Sequence, residues 1–197
     1  MKKIYLIITF CLAFAGSVVA QSNTTFTYSI GFGTGDIGEF IQAASFRGIN
    51  VDFRKMIQPN IGLGFGLGWN TFYEELASDT YTFGNSSLTG KQFRYSNNIP
   101  ITLSTAYFLK PGETLNPFFG LGIGTMYTVR NTDMNLYTIE QDAWNFLLQP
   151  EFGIQYMVTD LTAITISARY NHGFKGGSEL DAAQSYFALN LGFSFIE

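Results

Sequence analysis

The sequence predicts an all-β protein, an eight-stranded antiparallel up-and-down transmembrane β-barrel. Two patterns support this: eight segments alternate apolar and polar residues at period two, and short connections alternate with long polar ones. The composition is the third observation, because 17% of the residues are aromatic and only 13% are charged. Globular proteins carry roughly 25% charged residues. A surface this poor in charge is expected to face lipid rather than water.

Residues 1–20 are predicted to be a signal peptide, and residues 21–197 the outer-membrane barrel. Lys2 and Lys3 precede an apolar run, and Ala20 lies where a signal peptidase reads the chain. The apolar run is too short for a membrane-spanning helix. The protein is therefore expected to cross the inner membrane by this signal, which is then cleaved.

The rest of the composition excludes several kinds of site. Cys11 is the only cysteine and lies inside the signal segment, so the mature chain is expected to hold no disulfide and no cysteine metal site. The net charge of -4 comes without any basic block, which argues against nucleic acid as a partner. No cofactor or metal site is expected.

The clearest strand is the stretch IGLGFGLGW at residues 61–69. Large apolar side chains from Ile61 to Trp69 alternate with glycine at every second position. A strand sorts these residues onto two faces, whereas a helix would spread them around its circumference. The glycines do not form a nucleotide-binding loop, because no helix follows them. They are expected to leave room in a narrow lumen.

The other seven segments show the same alternation, and each is close to the roughly 9 to 11 residues that a tilted strand needs to cross hydrocarbon. In chain order, their apolar faces run from Phe26 to Phe32, Ile49 to Phe53, Tyr95 to Tyr107, Phe119 to Val129, Trp144 to Val158, Ile164 to Tyr170 and Phe187 to Phe195.

The connections also alternate, as they do in outer-membrane barrels with both termini on the periplasmic side. The short connections are predicted at 55–60, 110–116 and 159–161, and the long ones at 33–45, 74–94, 131–142 and 173–185. Helical content is expected to be negligible.

A secreted lipocalin-like barrel, apolar inside and polar outside, would show the same period. The polar faces here consist mostly of Gly, Ser, Thr, Asn and Gln, which suit a narrow lumen better than a water-exposed wall. Aromatic residues are expected to form two lipid-facing belts, one at each membrane interface. The belt at the long connections comprises Trp69, Tyr95, Tyr127, Trp144 and Tyr170, and the belt at the short turns comprises Tyr28, Phe53, Tyr107, Phe119, Tyr156 and Phe195.

Seven inward polar residues are predicted to form an interior network, namely Asp52, Arg54, Gln149, Glu151, Gln155, Arg169 and Asn171. A three-residue turn at 159–161 would pair residue 158 with residue 162. The same antiparallel register places Glu151 opposite Arg169, and we expect an ion pair between them. Asp52 and Arg54 are expected to form a second group nearer the short turns. The network either fills the lumen or lines a narrow conduit, and filling is favoured because paired buried ions satisfy each other.

Three stretches resemble a known family: NPFFGLGIGTMY at Asn116 to Tyr127, SARYNHGF at Ser167 to Phe174, and FALNLGFSF at Phe187 to Phe195. The chain resembles the small outer-membrane β-barrel proteins of the OmpA-transmembrane-domain, OmpX and PorT-like kind. The resemblance implies a closed eight-stranded barrel in the outer membrane of a Gram-negative cell, inserted by the barrel-assembly machinery. Outer-membrane lipid and lipopolysaccharide are then the expected surroundings.

The expected function is a non-enzymatic structural, adhesion or surface-recognition role through the long loops, with a surface protein or ligand as the partner. Aromatic residues among small polar ones in 74–94 favour recognition. The acidic loops are either solvated or bind divalent cations that bridge to lipopolysaccharide.

Two alternatives remain open. One is a narrow porin-like channel for small solutes or hydrophobic compounds. The other is a lipid A-modifying enzyme that uses His172, whose position after an Arg-Tyr pair resembles that in lipid A deacylases, with Ser178 and Glu179 of the adjacent loop as its candidate partners.

Overall fold

Eight antiparallel strands form a closed ring in chain order, with the last strand paired to the first. The computed structural model describes residues 21–83, 86–134, 137–176 and 180–197, so the predicted signal peptide lies outside it. The strands are β1 (Ser22–Thr34), β2 (Ser45–Gln58), β3 (Ile61–Phe83), β4 (Ser86–Phe108), β5 (Leu115–Met134), β6 (Tyr137–Thr159), β7 (Thr162–Gly173) and β8 (Gln184–Ile196). The predicted up-and-down barrel is confirmed.

The strand alternation sorts large apolar side chains outward and small polar ones inward. In β1, Phe26 is 49% exposed, whereas its neighbours Thr25 and Thr27 are buried in the lumen. The same alternation continues around the ring, where Phe26 faces Phe193 across the closing pair of strands. The outer wall is therefore apolar, opposite to the arrangement of a lipocalin.

Two predicted loops are strands instead. The described residues of these segments, 74–83 with 86–94 and 131–134 with 137–142, continue the pairing of β3 with β4 and of β5 with β6. β-Branched and oppositely charged residues face each other across the first hairpin, and such cross-strand pairs stabilise a sheet. The Thr80 and Thr89 hydroxyls lie 2.8 Å apart, and the Lys91 ammonium lies 2.5 Å from the Glu75 carboxylate.

These extensions form a four-stranded outer sheet, defined by residues 71–83, 86–97, 128–134 and 137–146. The pairing of β2 with β3 ends at Gly48 and Asn70, and that of β6 with β7 ends at Leu147 and Gly173. The outer sheet therefore rises above the ring on one side only. We call this end of the barrel the loop end and the opposite end the turn end.

A short helix, α1 (Asp36–Phe40), interrupts the first long connection and was not expected from the sequence. No helix in the described part of the chain is long and apolar enough to span a membrane. Gly35 precedes α1 with a φ of 53°, a conformation that glycine adopts without steric cost.

The turn between β6 and β7 is shorter than expected. Thr159 faces Thr162, and a bulge between Met157 and Thr159 absorbs the extra residue. The predicted pairing of 158 with 162 is therefore wrong, yet on the loop-end side of the bulge Glu151 faces Arg169 as predicted.

The aromatic residues of the two expected belts all point outward. Trp69, Trp144 and Tyr170 lie toward the loop end, and Tyr95 and Tyr127 are half-buried beside them. Toward the turn end lie Phe53, Tyr107, Phe119, Tyr156 and Phe195. Tyr28 was predicted in the turn-end belt, but it lies closer to the loop end, where its hydroxyl donates to the carbonyl of Phe46 on β2.

We expect Ile123→Arg to destabilise the protein by about 2 to 4 kcal/mol, because an arginine near the middle of hydrocarbon is poorly solvated. Ile123 lies on β5 midway between Phe119 and Tyr127 and is 49% exposed on the outer wall. The matched control is Leu115→Arg, on the same strand and 50% exposed but at the turn end, with an expected cost of about 0 to 1 kcal/mol. The free energy of unfolding in urea, measured in lipid vesicles, compares the two. Equal costs would contradict a hydrocarbon-facing wall.

Candidate functional site

Two arginines and two carboxylates meet in the middle of the lumen. The Arg169 Nη2 atom on β7 lies 2.7 Å from Asp52 Oδ2 and 2.9 Å from Glu151 Oε1. The Arg54 Nη2 atom on β2 lies 2.7 Å from Glu151 Oε2 and 3.6 Å from Asp52 Oδ1. We call these four residues the charge quartet. Its formal charges sum to zero, and each member is at most 8% exposed.

The expected separate group of Asp52 and Arg54 is wrong, since both residues join Glu151 and Arg169 in one cluster. The physical reason is the width of an eight-stranded barrel, which is about that of opposing side chains. An arginine side chain on β2 therefore reaches a carboxylate on β6.

Glycines on β3 and β5 provide the space for the two carboxylates. A Cβ atom added to Gly66 would lie 2.7 Å from Asp52 Oδ1, and one added to Gly120 would lie 3.1 Å from Glu151 Oε2. The alternating glycines thus serve close packing of ions against backbone, as the sequence suggested.

The three predicted amides form two other networks instead of bonding to the charge quartet. Gln149 donates to Asn171 at 2.6 Å. Gln155 donates to the Ser194 hydroxyl at 3.0 Å and accepts from Asn23 at 3.4 Å, closer to the turn end. The lumen is thus lined by consecutive layers of hydrogen-bonded groups.

An aromatic layer lies beneath the charge quartet at the turn end. Phe108 and Phe118 pack against each other with ring centroids 5.4 Å apart, beside Ala106 and Met56. The Arg54 guanidinium lies 5.7 Å from the Phe118 ring centroid. Below this layer, a cavity of about 350 Å³ opens at the turn end.

The helix α1 closes the opposite end of the lumen. Ile37 and Ile41 are fully buried there. They belong to an apolar cluster that also contains Phe72, Met126, Leu147, Tyr186 and Ala188. The positions Ile37, Phe40 and Ile41 have i, i+3, i+4 spacing, which is a helical signal that the sequence did contain.

Two arginines of the outer sheet hold α1 in place. The Arg94 and Arg130 guanidinium carbons lie 5.1 and 4.9 Å from the Phe40 ring centroid, and Arg94 also donates to the Phe40 carbonyl at 2.9 Å. Burial lowers the pKa of Arg130 to about 10, and Asp36 opposes that shift. Arg130 therefore remains charged at neutral pH, and its contact with the ring persists.

His172 lies on the outer wall near the loop end and has a partner that sequence reasoning missed. Its Nδ1 atom is 2.8 Å from the Ser185 hydroxyl, which the antiparallel register of β7 and β8 places opposite it. The imidazole stacks on Tyr170 and meets Phe174 edge-on. Ser185 is 5% exposed, so its hydroxyl is covered.

Ser178 and Glu179, the partners that the sequence suggested for His172, lie outside the described residues. Within the described part of the chain, no carboxylate bonds to the imidazole, and no group of three His, Cys, Asp or Glu side chains is placed to hold a metal ion.

We expect Glu151→Ala to destabilise the barrel by about 3 to 5 kcal/mol, because it leaves two buried arginines with one carboxylate. Adding Arg54→Met restores a neutral pair of Asp52 and Arg169, so the double variant should be more stable than Glu151→Ala alone. Gln149→Ala is the control, and loses one uncharged hydrogen bond at a cost of about 1 to 3 kcal/mol. Urea unfolding in vesicles measures all three. Additive losses in the double variant would contradict a coupled quartet.

The sequence matches the family described as outer membrane protein beta-barrel domain over residues 7–195. No curated protein matches it. Similar solved structures include the outer membrane protein OprG from Pseudomonas aeruginosa, with 17% identity and a TM-score of 0.56, covering 90% of this chain and 96% of that one.

Two further structures show the same fold. Ail, the attachment invasion locus protein of Yersinia pestis, in complex with the heparin analogue sucrose octasulfate, has 12% identity and a TM-score of 0.51, covering 90% of this chain and 100% of that one. The outer membrane protease OmpT from Escherichia coli has 6% identity and a TM-score of 0.51, covering 92% and 99%. One of these proteins is a protease, so the shared fold by itself does not decide between an enzyme and a non-enzymatic barrel.

The sequence resemblance to small outer-membrane barrels is confirmed by this match and by the closed ring of eight strands. The chain belongs to the family of outer membrane protein β-barrel domains.

Proposed function

We propose that this protein is a non-enzymatic barrel of the outer membrane that recognises a partner at the cell surface through its outer sheet. The carrying observation is that β3 to β6 continue as paired strands above the ring. A sheet raised above the membrane in this way presents backbone and side chains to solutes that the lipid-embedded wall does not meet.

The edge of the outer sheet on the β3 side supports a specific mode of recognition. Past Thr71, whose carbonyl accepts from the Ser45 hydroxyl at 2.6 Å, no described residue forms a backbone–backbone hydrogen bond with β3 on the side away from β4. The Gln42 amide donates to the Glu74 carboxylate there at 3.0 Å and leaves the β3 backbone groups unpaired. The ladder with β4 stays regular as far as Leu76, and a bulge follows before Asp79. An unpaired regular edge can accept an extended peptide as an additional strand.

The charge of the outer sheet favours a basic partner. It contains six carboxylates and three cations. The carboxylates are Glu74, Glu75, Asp79, Asp133, Glu140 and Asp142. Of the three cations, Arg94 and Arg130 contact Phe40 inside the barrel, which leaves Lys91 on the surface. A sulfated ligand such as the one bound to Ail fits this surface poorly, whereas a cationic extended segment fits it well.

The layers within the lumen argue against the channel alternative. The charge quartet, the aromatic layer and the α1 closure succeed one another along the axis, and each is made of buried side chains. The covered Ser185 hydroxyl likewise argues against hydrolysis at His172.

We expect the purified protein to give no steady conductance steps in planar lipid bilayers at neutral pH, because the charge quartet and the apolar layers block the axis. Single-channel recording at several protein concentrations measures this, with a known porin as the positive control. Reproducible steps of one size would support a channel instead.

We expect vesicles that carry the protein to bind a peptide of alternating Lys and Val. The control peptide has the same sequence but is N-methylated at every second residue, which blocks strand pairing and keeps the charge. Its affinity should be about tenfold lower, the loss of about 1.4 kcal/mol that a few missing backbone hydrogen bonds produce.

A protein variant provides the second control. Replacing residues 75–93 by Asn-Gly joins the paired residues Glu74 and Arg94 through a two-residue hairpin turn and removes the free edge beyond Glu74, so that only residues 72–74 remain unpaired. Binding of the unmethylated peptide to this variant should be weak. Equal binding of both peptides would indicate charge attraction alone and would contradict the proposed edge.

A further inference from the structure

A bulge at the loop end of β2 turns two consecutive residues to the outer wall. Ser29 faces Gly48 and Gly31 faces Ser45, so Phe46 and Arg47 together oppose a single residue of β1. Phe46 is 63% exposed, and Arg47 is exposed as well. A regular strand would have turned one of the two inward.

Three hydrogen bonds fix this bulge. The Tyr28 hydroxyl donates to the Phe46 carbonyl, the Arg47 amide donates to the Ser45 hydroxyl at 3.2 Å, and the Ser45 hydroxyl donates to the Thr71 carbonyl at 2.6 Å. The outward direction of Arg47 is therefore built into the backbone.

The Arg47 guanidinium lies over an aromatic face, with its central carbon 5.5 Å from the Tyr73 ring centroid. Beside it is a surface cavity of about 290 Å³ whose lining includes Ser45, Thr71 and Tyr73. Among the described residues, the guanidinium forms no ion pair and no hydrogen bond, unlike the arginines of the charge quartet.

The position of Arg47 relative to the aromatic belt sets its depth. Ile49 pairs with Trp69 of the loop-end belt, and Arg47 lies two residues farther toward the loop end. Aromatic belts mark the level where hydrocarbon meets the headgroups. The guanidinium therefore lies at headgroup level, with Phe46 and Trp69 beside it on the outer wall.

We propose that Arg47, Tyr73 and the adjoining cavity bind the phosphate of a lipid in the leaflet at the loop end. A guanidinium donates two parallel hydrogen bonds to a phosphate, and the exposed Phe46 and Trp69 side chains contact the lipid chains. A lipid is retained at this site by the burial of its apolar chains as well as by the guanidinium, whereas a free phosphate has only the guanidinium. This site shares Tyr73 with the outer sheet but does not depend on peptide recognition there, and it requires only that the outer wall meets lipid.

Quenching of tryptophan fluorescence by brominated lipids tests the site, because the mature chain has only two tryptophans, Trp69 and Trp144. In a Trp144→Phe background, Trp69 reports the lipid next to Arg47. Vesicles of phosphatidylcholine with brominated phosphatidic acid should quench Trp69 more than vesicles with brominated phosphatidylcholine. The preference should be about two- to fivefold, the size expected of one partly exposed ion pair.

Arg47→Gln should abolish this preference, and Arg47→Lys should retain part of it. The control Lys55→Gln removes an exposed cation near the turn end and should leave the preference unchanged. The fluorescence of Trp144 in a Trp69→Phe background shows whether any lipid preference is general to the wall.

Three outcomes would overturn the proposal. The first is equal quenching by both lipids, and the second is a preference that persists in Arg47→Gln. The third is loss of the preference in millimolar inorganic phosphate at constant ionic strength, which would show that the site binds free phosphate. Failure of peptide binding at the outer sheet would leave this result unaffected.

Discussion

A chain that crosses hydrocarbon as strands must hydrogen-bond every backbone amide and carbonyl to another strand, because no water is present to satisfy them. The pairing of β1 with β8 meets this requirement by removing both edges of the sheet. Closure with eight strands then fixes the width of the lumen, and that width decides what the interior contains. A side chain that reaches across this narrow lumen needs a small residue beside it, which explains why Gly66 and Gly120 lie against the carboxylates of Asp52 and Glu151.

The same constraint separates the molecule into parts with different roles. The interior is occupied by the charge quartet and by apolar layers on either side of it, so it contributes cohesion. On the outer wall, the bulge in β2 exposes Phe46 and Arg47 next to each other. The outer sheet has a free edge because β2 is short and β3 is long. Specific recognition is therefore expected at the rim and above it, and stability within the ring.

The alternation of apolar and polar residues at every second position was enough to predict which side chains point outward, since Phe65, Ile123 and Phe152 all lie exposed on the outer wall. Counting along β6 and β7 placed Glu151 opposite Arg169 even though the turn was misjudged, because the bulge lies between the turn and that pair. Contacts across the lumen, such as that of Arg54 with Glu151, depend on the diameter and tilt of the ring and leave no trace in local spacing. The strands of the outer sheet were missed for another reason: their exposed polar residues do not show the apolar alternation that lipid imposes.

The seam of the ring joins residues that are far apart in the chain, as shown by the hydroxyls of Thr25 and Ser194, which are 169 positions apart. β1 cannot pair with β8 until the C-terminal end of the chain has been synthesised and has reached the membrane. Until β1 and β8 pair, the open sheet exposes two unpaired strand edges, and each can pair with another incompletely folded chain. Ring closure is therefore expected late in folding, and the chain is most prone to aggregation before it.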